Sequence, residues 1–179
     1  MLRLLLIPLV GAVLAGSATA AEVNPARLVL QRTDVPAGFR LDAHNSGPSS
    51  NAHERSADLE QGRLFIRAGR VSGYIAEYKR SDLGVNSRVD LYRAPSGAHT
   101  VLWYFDRVLR TEGIKGLRRS PVDLGSEAWV HAGPSGTLAV VVWRRGRVVA
   151  GLATIGLTRP ATLRLARAQD RRIATALGS

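Results

Sequence analysis

The chain contains no cysteine among its 179 residues, and this absence excludes several classes of fold and of site. No disulfide framework can hold the protein together, so the hydrophobic core has to do so alone. Zinc sites built on thiolates, iron–sulfur clusters and cysteine nucleophiles are excluded as well. The thiol to which lipoproteins attach their lipid is absent for the same reason.

Lysine and acidic residues are scarce beside arginine, so the chain is strongly basic. Lys79 and Lys115 are the only lysines, and the formal net charge is +11. Proteins with such a charge often meet nucleic acids, anionic lipids or acidic polymers. The sequence is also rich in Ala, Gly, Val and Leu, as expected of a GC-rich genome. Codon bias is therefore the alternative explanation of the charge.

Familiar catalytic motifs are missing too. None of the four histidines forms a close pair of the H-x-x-x-H kind that binds metals. Glycine-rich nucleotide-binding motifs and the G-x-S-x-G turn of serine hydrolases do not occur. Ser96 lies three residues before His99, but an N-cap is the simpler role for this serine. We therefore predict no catalytic residue, no metal site and no cofactor. A hydrolase or metal-dependent enzyme with an unrecognised site is the alternative.

Residues 1–20, MLRLLLIPLVGAVLAGSATA, have the layout of a secretory signal peptide. Arg3 gives a short positive start, Leu4–Gly16 form an apolar stretch, and Ala18-Thr19-Ala20 is a small-x-small cleavage site. The apolar stretch is too short to span a bilayer of about 30 Å. We expect a single exported domain, residues 21–179, with no transmembrane segment after cleavage.

The first half of the domain mixes helix and strand signals. Alternation in RVSGYIAEYKR (70–80) and NSRVDLYRA (86–94) predicts an antiparallel hairpin. A short strand is predicted over Phe39–Ala43 and a helix over 57–69. The polar, turn-rich residues 44–55 are expected to form a loop.

The second half begins with the clearest helix, residues 95–111, which carry one apolar face at helical spacing. Four stretches then predict a four-strand meander: LRRSPVDLG, SEAWVHAG, TLAVVVWR and RVVAGLATIGL. The final helix is predicted over RPATLRLARAQDRRIATAL. The fold class is α+β, with an antiparallel sheet of about six strands and helices packed against it. Because the last two strands are apolar on both faces, helices should cover both faces, or one face should hold a ligand groove.

Several stretches together resemble a known kind of domain: TDVPAGF, RVSGYIAEYKR, VDLYRAPSGAH, VVWRRGRVVAGLATIG and LARAQDRRI. Their order resembles small exported α+β domains of unknown function in GC-rich bacteria. The layout is also similar to the extracellular sensor-type domains of actinobacterial kinases and to related envelope lipoproteins. The resemblance implies an α+β fold and ligand sensing, and it assigns no role to any single residue.

Aromatic residues on three elements that should pack together predict a pocket for a small apolar ligand. The pocket should lie between the long helix and the sheet, with a volume on the order of 300 Å³ or more. Packing in the core is the alternative role of these side chains. The predicted lining residues are Tyr74, Tyr78, Trp103, Trp129 and Trp143.

A basic hairpin tip, RRGR (144–147), is followed by a final helix with arginines at helical spacing. Gly146 should adopt the left-handed conformation in a three-residue loop. We predict one anion-binding patch for an envelope polymer or a lipid surface, and a solvated turn is the alternative. Few aromatic residues lie between these arginines to stack on bases, and an exported protein does not meet nucleic acid in the cytoplasm. Both points argue against nucleic-acid binding. The predicted patch residues are Arg144, Arg145, Arg147, Arg164, Arg167 and Arg171.

These patterns favour a non-enzymatic exported domain that binds a ligand, senses one, or interacts with the cell envelope. The sequence does not name the ligand or the partner.

Cleavage after Ala20 is the first testable expectation, because the small-x-small site follows a short apolar run. N-terminal sequencing of the protein recovered outside the cytoplasm should begin at Ala21. A mature chain that keeps residues 1–20 would contradict the predicted export.

Overall fold

The computed structural model describes residues 23–111 and 115–178. The predicted signal peptide, residues 1–20, lies outside the described residues. In the described part of the chain, no helix is both long enough and apolar enough to cross a membrane.

Within these described residues, eight strands and four α-helices follow a 3-10 turn at Pro25–Arg27. The strands are β1 (Arg40–Leu41), β2 (Gly47–Ser49), β3 (Arg70–Arg80), β4 (Leu83–Tyr92), β5 (Arg118–Pro121), β6 (Glu127–Ala132), β7 (Leu138–Arg145) and β8 (Val148–Ile155). The helices are α1 (Asn51–Ala57), α2 (Leu59–Arg67), α3 (Pro95–Thr111) and α4 (Arg159–Leu177). The predicted α+β class is confirmed.

All strands pair antiparallel in one sheet of order β1-β3-β4-β8-β7-β6-β5, and β2 also pairs with β3. The sheet has eight strands instead of about six, because β1 and β2 both add to the outer edge of β3. The residues 44–55, predicted as a loop, contain β2 and most of α1. These elements are only three and seven residues long, too short for a periodic pattern to reveal.

Side-chain caps fix the helix starts. The Ser50 hydroxyl accepts a hydrogen bond from the backbone of His53 at the start of α1. The Asp58 carboxylate accepts one from Gln61, so α2 begins at residue 59 instead of 57. Thr158 caps α4 in the same way, with its hydroxyl accepting a hydrogen bond from the backbone of Ala161.

Helices cover both faces of the sheet, and the alternation of β7 explains why. Trp143 points into the main core with Leu165 and Ile173 of α4, whereas its neighbour Val142 points to the other face and packs against Leu102 of α3. The helices α2 and α3 therefore lie on one face and α4 on the other. This arrangement confirms the expectation from the doubly apolar strands.

A buried ion-pair network joins the β3–β4 hairpin to α1. The Arg70 side chain is fully buried, and its Nη2 lies 2.6 Å from Oδ1 of Asp90. Arg88 bridges the same Asp90, at 2.7 Å, and Glu54 of α1, at 2.8 Å. The Ser49 hydroxyl also donates to Glu54. Two arginines thus balance two buried carboxylates on the face of the sheet that α1 and α2 cover.

The network changes the pKa of Glu54. Burial alone would raise this pKa, but the Ser49 hydrogen bond and the charges of Arg88 and Arg70 bring it below its ordinary value of 4.5. The carboxylate therefore stays ionised and keeps α1 attached to the hairpin.

Removing the Arg70 charge should destabilise the fold strongly, because Asp90 would stay buried with a partner lost. We expect Arg70→Met to lower the free energy of unfolding by roughly 3–5 kcal/mol, measured by urea denaturation. Arg40→Met, at an exposed edge position of β1, is the control and should change it by less than about 0.5 kcal/mol. Similar losses in both variants would contradict a structural role for the network.

Candidate functional site

An arginine-lined groove of about 600 Å³ runs between α2 and α3. Arg63 and Arg67 line it from α2, and Arg107 and Arg110 line it from α3. Each pair is spaced by one helical turn, so both side chains of a pair lie on the same flank of their helix. We call this site the α2–α3 groove.

The two helices meet closely where α2 ends and α3 begins. A Cβ added at Gly97 would collide with the carbonyl oxygen of Ala68, so only glycine allows this approach. On the inner side, the rings of Phe65 and Phe105 pack edge to face with centroids 5.7 Å apart. These contacts set the position of both walls of the groove.

Most of the groove arginines have no ion-pair partner in the part of the chain that the structure describes. Within the described residues, Arg63, Arg67 and Arg107 form no ion pair. Arg110 is the exception, with its Nε 3.2 Å from a carboxylate oxygen of Asp106. Among the described residues, Glu60 is the single acidic residue of the lining. The groove therefore carries an excess of exposed guanidinium groups, which suit phosphate and carboxylate groups.

Trp103 adds an aromatic surface to the groove. Its side chain is 41% exposed, although its ring packs against Trp129 with centroids 4.8 Å apart. The indole Nε1 donates a hydrogen bond of 3.2 Å to Glu127. The ring is thus held in place and still faces solvent. Tyr104 also lines the groove, and the Arg107 guanidinium lies 5.7 Å from its ring centroid.

Glu127 is held by three groups, one of which comes from the basic hairpin tip. Arg144 donates from its Nε at 2.8 Å, and the His99 ring lies at 2.9 Å. Burial alone would raise the pKa of Glu127, but Arg144 and His99 bring it below its ordinary value of 4.5. Arg144 therefore helps to position Trp103 at the groove, although it does not line the groove itself.

Behind the groove, a second buried cluster fixes α3 to the meander. Asp106 is fully buried, and its Oδ1 accepts from Arg119 at 2.7 Å and lies 3.0 Å from the His131 ring. Burial lowers the pKa of His131 below 6.5, against the opposing pull of Asp106. The Arg119 guanidinium also lies over the Trp129 ring at 4.5 Å. The cluster anchors the helix that carries half of the groove.

The five predicted aromatic residues do not share one face of the sheet. Trp103 and Trp129 meet on the α3 face, at the groove. Tyr74, Tyr78 and Trp143 point to the α4 face, in or against the main core. There the Tyr78 hydroxyl donates to the Leu30 carbonyl and the Trp143 indole donates to Asp170.

A pocket does exist between the long helix and the sheet, where the sequence predicts one. Its volume is about 240 Å³, below the usual range of ligand pockets of roughly 300–1,000 Å³. Its lining is mainly aliphatic and includes Phe105, Val142 and Val149. None of the five predicted aromatic residues lines this pocket. The larger, charged α2–α3 groove is the better candidate site.

The hairpin tip lies beside α4, where Arg145, Gly146 and Arg147 line a hollow together with Leu177. Gly146 is left-handed, with φ of 54°, as predicted, but the loop has two residues because Arg145 pairs with Val148. Arg144 and Arg145 are strand residues and point to opposite faces. Arg144 binds Glu127, and Arg145 binds Asp170 of α4 at 2.7 Å. Arg147 lies in the loop.

The predicted arginines of α4 form a separate row. Arg164, Arg167 and Arg171 are all exposed on the outer side of the helix. Arg172, beside them, binds Asp34 through two nitrogen atoms, at 2.8 and 3.1 Å. The predicted row is therefore present, on the other face of the sheet from the groove.

Sequence reasoning did not single out the four arginines of the groove. Each helix shows an ordinary pattern of one apolar face and a basic flank. The missing information is that α2 and α3 lie side by side on the same face of the sheet. In the described residues, no group of three or more His, Cys, Asp or Glu side chains could hold a metal ion.

Comparison with known proteins adds little. No family model matches the chain, and no curated protein matches it. Among solved structures, the extracellular domain of PknH from Mycobacterium tuberculosis is similar, at 11% identity and a TM-score of 0.44. The similarity covers 82% of this chain and 94% of that chain.

The link from Arg144 through Glu127 to Trp103 gives a pH prediction. Because the pKa of Glu127 is lowered in the folded protein, its stabilising contribution is present above pH 4.5 and is lost as the pH falls through the folded pKa. The fluorescence change of Trp103 on acidification should therefore have its midpoint below pH 4.5. Arg144→Gln removes a hydrogen bond that lowers this pKa, so the midpoint should move upward.

The measurement is a pH titration of tryptophan fluorescence, with Trp103→Phe used to identify the Trp103 signal. Arg147→Gln, which removes an arginine from the loop of the same hairpin, is the matched control and should leave the midpoint unchanged. Equal midpoints in the wild type and in Arg144→Gln would show that Arg144 does not position this site.

Proposed function

We propose that this chain is an exported, non-enzymatic domain that binds an oxyanionic polymer of the cell envelope in the α2–α3 groove. The signal-peptide pattern of residues 1–20 supports export. The arginines of the groove support an anionic ligand. The observation that carries the proposal is that arginines in structural positions are paired with carboxylates, whereas most groove arginines have no such partner among the described residues.

Arginines in structural positions have carboxylate partners. Arg70 and Arg88 share Glu54 and Asp90, while Arg145 is paired with Asp170. Three of the four groove arginines have no such partner among the described residues, yet they face each other across a concave surface. Like charges brought together in this way repel one another, and a bound anion would relieve that repulsion.

The shape of the groove favours a polymer strand over a membrane. Guanidinium groups on both walls can contact successive phosphate or carboxylate groups of one strand. A flat bilayer surface cannot enter a concave groove between two helices. The exposed ring of Trp103 and the nearby Tyr104 supply apolar contact for the backbone of such a polymer.

The test is a titration with polyphosphate and, separately, with poly-L-glutamate, followed by Trp103 fluorescence. Arg63→Gln/Arg107→Gln removes one arginine from each wall of the groove. With roughly 0.5–1 kcal/mol for each exposed ion pair, binding should weaken about 5- to 30-fold. The affinity of the wild type should fall steeply as salt is raised, because exposed charges are screened beyond about 10 Å at 0.1 M.

The matched control is Arg40→Gln/Arg118→Gln, which removes the same charge from exposed positions on β1 and β5. Its affinity should stay close to that of the wild type. If the control loses as much affinity as the groove variant, net charge alone drives binding and the groove is not the site. Polymer binding with no change in Trp103 fluorescence would lead to the same conclusion.

A further inference from the structure

The α4 face carries a second basic depression, on the opposite side of the sheet from the groove. Two adjoining hollows, of about 450 and 370 Å³, share Asp34, Ala168 and Arg171 among their lining residues. Arg27 lines the first hollow and Arg164 lines the second. Together they form a continuous surface along α4 and the segment before β1, which we call the α4 surface.

The charge of the described α4 surface is positive, because the one carboxylate among its described lining residues, that of Asp34, is already neutralised. Asp34 accepts two hydrogen bonds from Arg172 and a third from the backbone nitrogen of Gln31. Arg164 and Arg171 form no ion pair within residues 23–111 and 115–178. Exposed guanidinium groups thus line this face as they line the groove.

The two surfaces cannot contact the same short stretch of a ligand. The α4 helix packs on the face of the sheet that contains Trp143 and Leu152. The α3 helix packs on the face that contains Val142 and Val149. A sheet and the cores on both of its sides therefore separate the α4 surface from the groove.

We infer that the α4 surface is a second binding site for the same oxyanionic polymer, so that one domain joins two polymer strands. This inference rests on the proposed function of the groove and adds a second site to it. A polymer with many anionic groups and a domain with two opposed sites should form a cross-linked network. A planar bilayer could meet only one of the two faces, so the paired arrangement favours polymers.

The experiment compares cross-linking with groove occupancy in the same samples. Long-chain polyphosphate, or poly-L-glutamate in a second arm, is added to the wild type at low salt. Light scattering measures the formation of the cross-linked network. Trp103 fluorescence measures occupancy of the groove and not of the α4 surface, because Trp103 is remote from α4. The wild type should give both signals, and moderate salt should remove both.

Arg164→Gln/Arg171→Gln removes two of the three arginines that line the α4 surface and form no ion pair among the described residues, the third being Arg27. This variant should keep the Trp103 response within about twofold of the wild type and lose roughly fivefold or more of the scattering. The groove variant Arg63→Gln/Arg107→Gln should lose both signals. The control Arg40→Gln/Arg118→Gln, with the same net charge as the other two variants, should keep both.

Three results would overturn the inference, and they can be told apart. Scattering by the α4 variant equal to that of the control would show that α4 is not a second site, while the groove proposal stands. Scattering in the wild type without any change in Trp103 fluorescence would show that the groove does not bind the polymer. It would therefore also rule out a pair of binding sites on one domain. Stronger binding to anionic lipid vesicles than to either polymer, lost in the α4 variant, would assign the α4 surface to a membrane.

Discussion

The structure depends on how few carboxylates the chain has for its many cations. Fourteen acidic residues face twenty-five lysines and arginines, so many of the cations have no carboxylate of their own. The most buried carboxylates bind arginines or a histidine that join separate elements: Asp90 and Glu54 join the hairpin to α1, and Asp106 joins α3 to β5 and β6. An unpaired charge inside the protein costs far more than one at the surface, so the fold uses its carboxylates where burial is deepest.

The remaining arginines are exposed at the surface, and their placement determines where the protein is most positively charged. The groove and the α4 surface gather guanidinium groups on opposite faces, while Arg144 of the hairpin tip is used internally to hold Glu127 and, through it, Trp103. Two arginines of the basic tip, Arg144 and Arg145, are thus paired with carboxylates, whereas Arg147 has no ion pair among the described residues.

Much of the fold could be predicted from the sequence, because its long elements have clear periods. The alternation of 70–80 and the apolar stripe of 95–111 fix the hairpin and α3, and Thr158 marks the start of α4. The short β2 and α1 carry too few residues for such a pattern. The candidate site was less predictable. Composition does not show that α2 and α3 are neighbours, or that the strand register places Trp129 and Trp143 on opposite faces of the sheet. The arginine row of α4 was predictable, since helical spacing alone defines it.

Structural arginines are held by carboxylates, whereas we propose that the groove arginines are left for a ligand. Side-chain NMR of the arginine Nε–H groups distinguishes the two sets. Slow hydrogen exchange and fixed signals are expected for Arg70, Arg88 and Arg145. Fast exchange that slows when polyphosphate is added is expected for Arg63, Arg67 and Arg107. Groove signals that are already protected without ligand, or that do not respond to polyphosphate, would show that the groove arginines are not left for a ligand.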